Sequence, residues 1–474
     1  MTMRQPNVLF IMPDEMRGDC LSLEGHPVLE TPVIDSIGEG GTYFSRAYTT
    51  SPSCIPARHA MMTGLYPSSN GMVGYRGGIP LEFPTLAQTL KDSGYATSLV
   101  GRCMHLSPAD EPYGFEKRIL GSTYIKDDDY AKFLKDKAPE SGGIEGIGIS
   151  CNGREARGWP LEESLHPSHW TVSQARELLG NHEGDQPIFH VTSFYSPHSP
   201  LFPPQKLMDD FMEMELPNLA IGEWASPPSP EEYENDIDSP RVNMKGEELR
   251  RAQAGYFGLI KHIDHLVEGL IDDFKEKSES MDRPWVIIFS TDHGEMLGDH
   301  YYFRKCEPYE GSSRIPFLIQ ASEEFGFKKA QKCTTPVCLE DIMPTLLDMC
   351  QVSFSGNLDG KSLVGILRGD SEGVRDCLHT EHATCYSKEQ GFHMLTDGSL
   401  KYIWRPYTGQ EQLFDLNEDP NEIVDLSCSE GHRQHIDNFR RELVSTLTGR
   451  PEGFVENGQL ITGCDYPPFM ESMA

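Results

Sequence analysis

Five short stretches of the chain carry side chains able to act together on an anion and a metal cation. Asp14–Glu15 follow the apolar run Val8–Met12, Arg102–Cys103–Met104–His105 follow Ala96–Val100, Pro197–His198 follow Ile188–Phe194, and Thr291–Asp292–His293–Gly294 follow Trp285–Ser290. Asp14, Glu15, Asp292 and His293 would offer three carboxylates and an imidazole. Such an oxygen-rich set suits Ca²⁺, Mg²⁺ or Mn²⁺, and the imidazole moves the choice toward Mn²⁺. The fifth stretch is Ser51–Pro52–Ser53–Cys54–Ile55–Pro56–Ala57–Arg58. Pro56 fits the first turn of a helix that ends at Gly64. Cys54 then sits at a helix N-terminus, where free amides and the dipole favour negative charge, and Arg58 lies one turn on along the same face. Taken singly, each stretch reads as well as a helix cap, a buried thiol or a loop histidine. The common position of the first four after apolar runs makes them a candidate site.

The elements that must position them follow from the same runs. Val8–Met12, Ala96–Val100, Ile188–Phe194 and Trp285–Ser290 are continuously apolar, as strands buried on both faces of a parallel sheet are. Helical spacing over Pro84–Ser93, Glu247–Lys277 and Leu339–Met349 places helices between them, giving an α/β class with a doubly wound, mostly parallel sheet. Ligands bind such sheets beyond the carboxyl ends of the strands, which is where the candidate groups lie. Ser107–His169 and Pro203–Met244, rich in Pro, Gly, Asp and Glu, read as long excursions that shape a cleft or a subunit contact, or as solvated elaboration. From about residue 371 the pattern changes to antiparallel strands at His393–Thr396, Lys401–Trp404 and Glu411–Phe414, then a helix over Arg433–Leu447. Residues 1–370 are thus expected to form the catalytic domain and 371–474 a small α+β subdomain. A tail from Pro451 shows neither helical nor strand pattern; with Phe454, Tyr466 and Phe469 it either reaches another subunit or lacks order.

The 474 residues include 41 basic and 73 acidic side chains, a net charge of −32. That balance excludes a nucleic-acid binder and a partner for anionic membranes, both of which need basic patches. An anionic substrate must be held by local cations or a metal, which screening over about 8 Å permits. The start of the chain has no apolar leader, and the 12 cysteines show no paired metal spacing or dense framework. A cytoplasmic protein with reduced thiols is the expectation. The mixed pair Tyr75–Arg76 is a candidate contact for one sugar or aryl group.

Cys54-x-Pro56-x-Arg58 resembles the signature of the type I sulfatases of the alkaline phosphatase superfamily. Asn7–Met12 with Asp14, Thr63–Gly64-x-Tyr66–Pro67, Asp292–His293–Gly294–Glu295, Arg314–Ile315–Pro316 and Leu358–Asp359–Gly360–Lys361–Ser362–Leu363 are similar to that family in its order. The resemblance covers roughly residues 7–420 and implies an alkaline-phosphatase-like fold. It also implies that a formylglycine-generating enzyme oxidises Cys54 to formylglycine. One hydroxyl of the aldehyde hydrate then attacks sulfur, and loss of a proton from the second releases sulfate. Asp14, Glu15, Cys54, Asp292 and His293 resemble the metal site, with Ca²⁺ expected ahead of Mn²⁺ or Mg²⁺. By the same resemblance, Arg58 stabilises the hydrate, His105 hydrogen-bonds it, and His198 and Lys305 contact sulfate and protonate the leaving oxygen. Three departures stand out: Glu15 where many members have Asp or Gln, His293 where many have Asn, and Cys103 in place of the usual lysine, with Arg102 as its stand-in. The Gly294–His300 run and the short gap to Lys305 resemble the branch of choline sulfatases and phosphonate monoester hydrolases.

The implied activity is hydrolysis of a sulfate ester of a small organic or carbohydrate alcohol. A phosphonate monoester or phosphodiester hydrolase with the same formylglycine is the alternative. A non-catalytic anion-binding protein with unmodified Cys54 is a third reading. A homo-oligomer is left open.

Overall fold

The alternation of β1 explains the layering. In the computed structural model, which describes residues 4–103, 107–108, 111–121, 127–148 and 151–470, Asn7–Asp14 forms β1, buried along its whole length. Leu9 and Ile11 enter one core, while Val8, Phe10 and Met12 enter the other, the period of two that a sheet covered on both faces requires.

Seven further strands complete the sheet: β2 (Thr42–Phe44), β3 (Ala96–Gly101), β4 (Lys117–Leu120), β5 (Ile188–Pro197), β6 (Trp285–Ser290), β7 (Phe317–Ala321) and β8 (Gln331–Cys333). Their order is β4-β3-β5-β1-β6-β7-β2-β8. The run from β4 to β6 is parallel, and only β7 runs against its neighbours β6 and β2. Helices Pro32–Glu39, Pro167–Gly180 and Gly246–Ser280 cover one face, and Cys54–Thr63, Leu86–Asp92 and Ile342–Met349 the other. The expected α/β class and mostly parallel sheet are therefore observed. Two helix starts shift: Thr85 rather than Pro84 opens the second of these, its hydroxyl accepting from Gln88 N–H, and a 3₁₀ turn, Leu339–Asp341, precedes Ile342–Met349.

The register brings the ends of the central strands level. Asp14 lies opposite Pro197, and Gly101 opposite Ser193. Gly101 has a left-handed φ of 100°, and a Cβ there would fall 1.9 Å from the Ser193 carbonyl oxygen, so only glycine lets the chain turn here.

Residues beyond 370 contain an antiparallel sheet, β9 (Leu378–His382), β10 (Phe392–Thr396), β11 (Leu400–Trp404) and β12 (Glu411–Asp415). Helix Arg433–Leu447 packs Ile436, Phe439 and Leu443 on one face. The opposite face puts Met394, Ile403 and Phe414 in one cluster with Tyr48, Met296 and Tyr309 of the large domain. The strand β9 is additional to those expected. The tail is corrected: Phe454, Tyr466 and Met470 are buried against this sheet of the same chain, and Val455–Glu456 pairs with Gln459–Leu460. Among the described residues no helix is long and apolar enough to cross a membrane.

Candidate active site

Each central strand delivers one or two groups to the same edge of the sheet. β1 ends in Asp14, and Glu15 follows in a left-handed conformation (φ 68°). Tyr256 of the long helix holds that turn by donating to the Glu15 carbonyl (2.7 Å) and accepting from Arg17 N–H (2.9 Å). β5 runs to Pro197, and His198 N–H donates to the Asp14 carbonyl (3.1 Å). Asp292 and His293 follow β6 by one residue, and the Asp292 Oδ1 accepts from Glu15 N–H (3.2 Å). Arg102 leaves β3 through the turn at Gly101.

Cys54 is the first residue of its helix and only 2% exposed. Its Sγ lies 3.2 Å from His293 Nε2, 3.7 Å from Arg102 Nη2 and 4.0 Å from Asp14 Oδ1. Arg58, one turn on, bridges the two carboxylates: Nε donates to Asp292 Oδ2 and Nη2 to Asp14 Oδ2, both at 2.8 Å. Its Nη1 donates to the Arg102 carbonyl and to Ser193 Oγ. Arg102 adds a second ion pair to Asp14 at 2.7 Å. Beside them Lys305 Nζ lies 2.8 Å from His198 Nε2 and 3.3 Å from Glu15 Oε2. His198 Nδ1 is 2.8 Å from the Ser199 carbonyl, so that nitrogen donates and Nε2 accepts from the lysine.

Burial pushes the Cys54 thiol up to about 12 despite the pull of Lys305, so at neutral pH the unmodified side chain is a thiol, a poor nucleophile. Burial also raises Asp14 to about 6, with Arg102 pulling against it and Asp292 adding to it. Glu15 is raised to about 7 by burial, with Lys305 opposing and Glu295 adding. Burial works against ionisation of Asp292 as well, yet His293, Arg58 and Arg102 hold it well below the usual carboxylate range. His198 is driven well below its ordinary value by burial and then by Lys305.

The donor set fits a divalent cation. Ligand atoms of Asp14, Cys54, Asp292 and His293 all lie within 4.8 Å of one another. His293 Nδ1 is 2.9 Å from the Gly294 carbonyl, which fixes the tautomer that turns the Nε2 lone pair to the cluster. Glu15 Oε1 is buried with no hydrogen-bond partner among the described residues.

A cavity of about 270 Å³ opens from Cys54. The buried Arg102, His198, Arg304 and Lys305 line it together with the exposed Tyr75, Asn152 and Tyr386. The structure thus brings together Asp14, Glu15, Cys54, Arg58, Arg102, His198, Asp292, His293 and Lys305. His105 lies outside the described residues. Tyr75 lines the cavity, whereas its neighbour Arg76 is not among the lining residues. Both excursions contribute: Asn152 belongs to the first, and the Asp238 carbonyl of the second accepts from Arg304.

Several groups were not singled out by sequence reasoning. Glu295 Oε1 accepts from Leu297 N–H (2.6 Å) and Arg304 N–H (2.5 Å), closing the loop that presents Lys305. Its position in the Asp292–His293–Gly294–Glu295 run was the available signal. The connection from β9 to β10 supplies Tyr386 to the cavity wall, and β9 ends in His382, whose Nε2 is 2.7 Å from Ser53 Oγ at the start of the cysteine helix. Arg405 pairs with Glu307 (3.0 Å), and Lys401 with Glu310 and Glu422 (2.8 Å each), so the stretch after Lys305 is tied to that sheet. Nothing local in the sequence links Glu307 to Arg405 or Glu310 to Lys401, each pair about a hundred residues apart, or Ser53 to His382, more than 300 apart.

A family model described as Sulfatase matches residues 6–352, and one described as N-sulphoglucosamine sulphohydrolase, C-terminal, matches residues 298–448. The chain is similar to an arylsulfatase of Clostridium perfringens, 35% identical over 98% of both chains. A choline-sulfatase of Rhizobium meliloti is 28% identical over 90% of this chain and 83% of its own. Among solved structures, the phosphonate monoester hydrolase of Agrobacterium radiobacter superposes with a TM-score of 0.78 at 25% identity, covering 93% of this chain and 95% of that one.

Proposed function

The chain belongs to the sulfatase family of sulfuric ester hydrolases, and on that premise we propose that it cleaves the sulfate ester of a small organic or carbohydrate alcohol, with residue 54 carried as formylglycine beside a divalent cation. The observation that carries this reading is the convergence on Cys54 of an acid–imidazole cluster and, from the other side, Arg102 and Lys305. Asp14, Asp292 and His293, with Glu15, would hold the cation, Ca²⁺ ahead of Mn²⁺ or Mg²⁺, whose charge would polarise the reacting oxygens. A hydrated aldehyde at position 54 would supply the hydroxyl nucleophile that a buried thiol of pKa about 12 does not.

The chain's own groups take the remaining work. Arg58 fixes Asp14 and Asp292 in one orientation through its two 2.8 Å bonds. Arg102 and Lys305 face the cavity and neutralise the sulfate oxygens. Lys305 Nζ and His198 Nε2, 2.8 Å apart, hold one proton between them at the cavity wall, where the leaving oxygen needs it. A formylglycine-generating enzyme is the implied maturation partner.

The test is mass analysis of the Cys54 peptide from natively produced protein, with turnover of matched aryl sulfate and aryl phosphonate esters. The reading expects an aldehyde at position 54 and faster turnover of the sulfate. An intact thiol in fully active protein would overturn it. Faster turnover of the phosphonate would favour the phosphonate monoester or phosphodiester alternative.

A further inference from the structure

Burying a cation without an acidic partner is costly, and one cation of the cavity is in that position. Arg102 and Lys305 are each ion-paired, to Asp14 and Glu15. Arg304 is 5% exposed, yet among the described residues no carboxylate lies within ion-pair distance of it. Its Nη2 donates to a main-chain carbonyl, that of Asp238, and its Nε is buried with no hydrogen-bond partner among the described residues. A neutral donor could satisfy the Asp238 carbonyl; a guanidinium in that place has no direct acidic partner, and Glu15 and Glu295 act on its charge only from beyond ion-pair distance.

Two further features aim that charge into the cavity. Arg304 and Cys306 both have left-handed backbone, with φ of 68° and 72°. Successive residues of an extended chain point to opposite sides, whereas here Arg304, Lys305 and Cys306 all line one cavity. The guanidinium also stacks on Tyr386, 4.9 Å from the ring centroid, which holds its plane while leaving its edge to accept a partner. No Asp or Glu is among the described residues that line the cavity.

We propose that Arg304, stacked on Tyr386, is the subsite for a second anionic group of the substrate, so that the preferred ester carries a carboxylate or a further sulfate on its leaving alcohol. This rests on the sulfatase reading above, which assigns the Cys54 end of the cavity to the scissile sulfate. The cavity of about 270 Å³ accommodates one ring with its two anionic substituents. A cationic alcohol meets like charge at Arg304 and is disfavoured.

The test uses three ring-matched esters, 4-sulfooxybenzoate, 4-sulfooxybenzamide and 4-(trimethylammonio)phenyl sulfate, on wild type, Arg304→Gln and Arg304→Lys. The quantity read is the ratio of kcat/KM for carboxylate over amide, in which leaving-group reactivity and any general loss of active protein cancel. Arg304→Gln is expected to lower that ratio about tenfold to a hundredfold, the worth of one charge-assisted hydrogen bond. Arg304→Lys should retain part of it, and the cationic ester should gain on the amide in Arg304→Gln. Calorimetric binding of 4-(sulfomethyl)benzoate and its amide should show the same change in Kd ratio. Ratios within twofold of wild type in both assays overturn the subsite. If no ester is hydrolysed while the carboxylate still tightens binding through Arg304, the subsite stands and the sulfatase reading falls.

Discussion

Glu295 offers the sharpest mutational test of how the chain presents Lys305. Its carboxylate is 2% exposed and accepts from two backbone N–H groups, those of Leu297 and Arg304, at 2.6 and 2.5 Å. Between them the loop carries left-handed backbone at Leu297, His300 and Tyr301, and Arg304 itself has φ of 68°. Each such non-glycine residue stores about 1–3 kcal/mol that a relaxed loop would release. In Glu295→Ala the two donors lose their acceptor, at about 1–3 kcal/mol each if the loop stays in place. With the stored strain added, the loop has more to gain by moving than by holding. Lys305 then leaves its 2.8 Å contact with His198, and a displacement of 1 Å at a reacting group costs about a hundredfold in rate. The expectation is a fall of about a hundredfold in kcat, with a smaller change in KM, measured on an aryl sulfate. Glu295→Gln keeps an oxygen in the same place, so it should recover most of the loss, with weaker bonds. A Glu295→Ala enzyme with kcat within twofold of wild type would refute the reasoning.

Other consequences are as direct. Exhaustive chelation should abolish turnover and readdition of Ca²⁺ or Mn²⁺ restore it; activity that survives chelation removes the proposed role of Asp14, Asp292 and His293. Lys401→Met strands the buried carboxylate of Glu422, 2.8 Å from its ammonium, and leaves Glu310 to Arg314 alone at that distance; it should cost about 3–5 kcal/mol in denaturant unfolding, with a loss below 1 kcal/mol counting against the bridge. Stability should fall on acidification below pH 6.5: burial holds His59 down to about 4 and His190 to about 3. The unfolded chain therefore takes up protons near 6.5 that the folded one refuses, and the loss accrues between 6.5 and those values. Urea unfolding at pH 7, 6 and 5 measures it, and a flat profile contradicts it.

The parts of the molecule legible in the sequence are those governed by short-range pattern. Continuous apolar runs identified the four central strands because burial on both faces removes polar residues from them, and the groups just beyond Asp14, Gly101, Pro197 and Ser290 inherited their place from strand polarity. β9 was missed because Leu378–His382 is mostly polar: its Glu381 is buried against Arg450 and Tyr466, partners about 70 and 85 residues away. The tail misled for the same reason, since Phe454 and Tyr466 find their core only after β10 and β11 have paired. β2, β4 and β8, of three or four residues each, are too short to show a period. Arg304 and Glu295 carry no pattern either, because their roles depend on left-handed backbone that side-chain spacing does not encode.

The burial of Cys54 beneath a wall furnished partly by Tyr386 puts an order in time on the life of the chain. Cys54 is 2% exposed, and the cavity of about 270 Å³ beside it is too small to admit another protein, so any enzyme that processes position 54 must do so on a nascent or loosely folded polypeptide. More than 300 residues separate Cys54 from Tyr386, which at ribosomal speeds of about 5–20 residues per second leaves an interval of roughly 15–65 s. Chains that close before the processing enzyme arrives would be stable, well packed and inert, and heterologous hosts should accumulate them in proportion to how scarce that enzyme is.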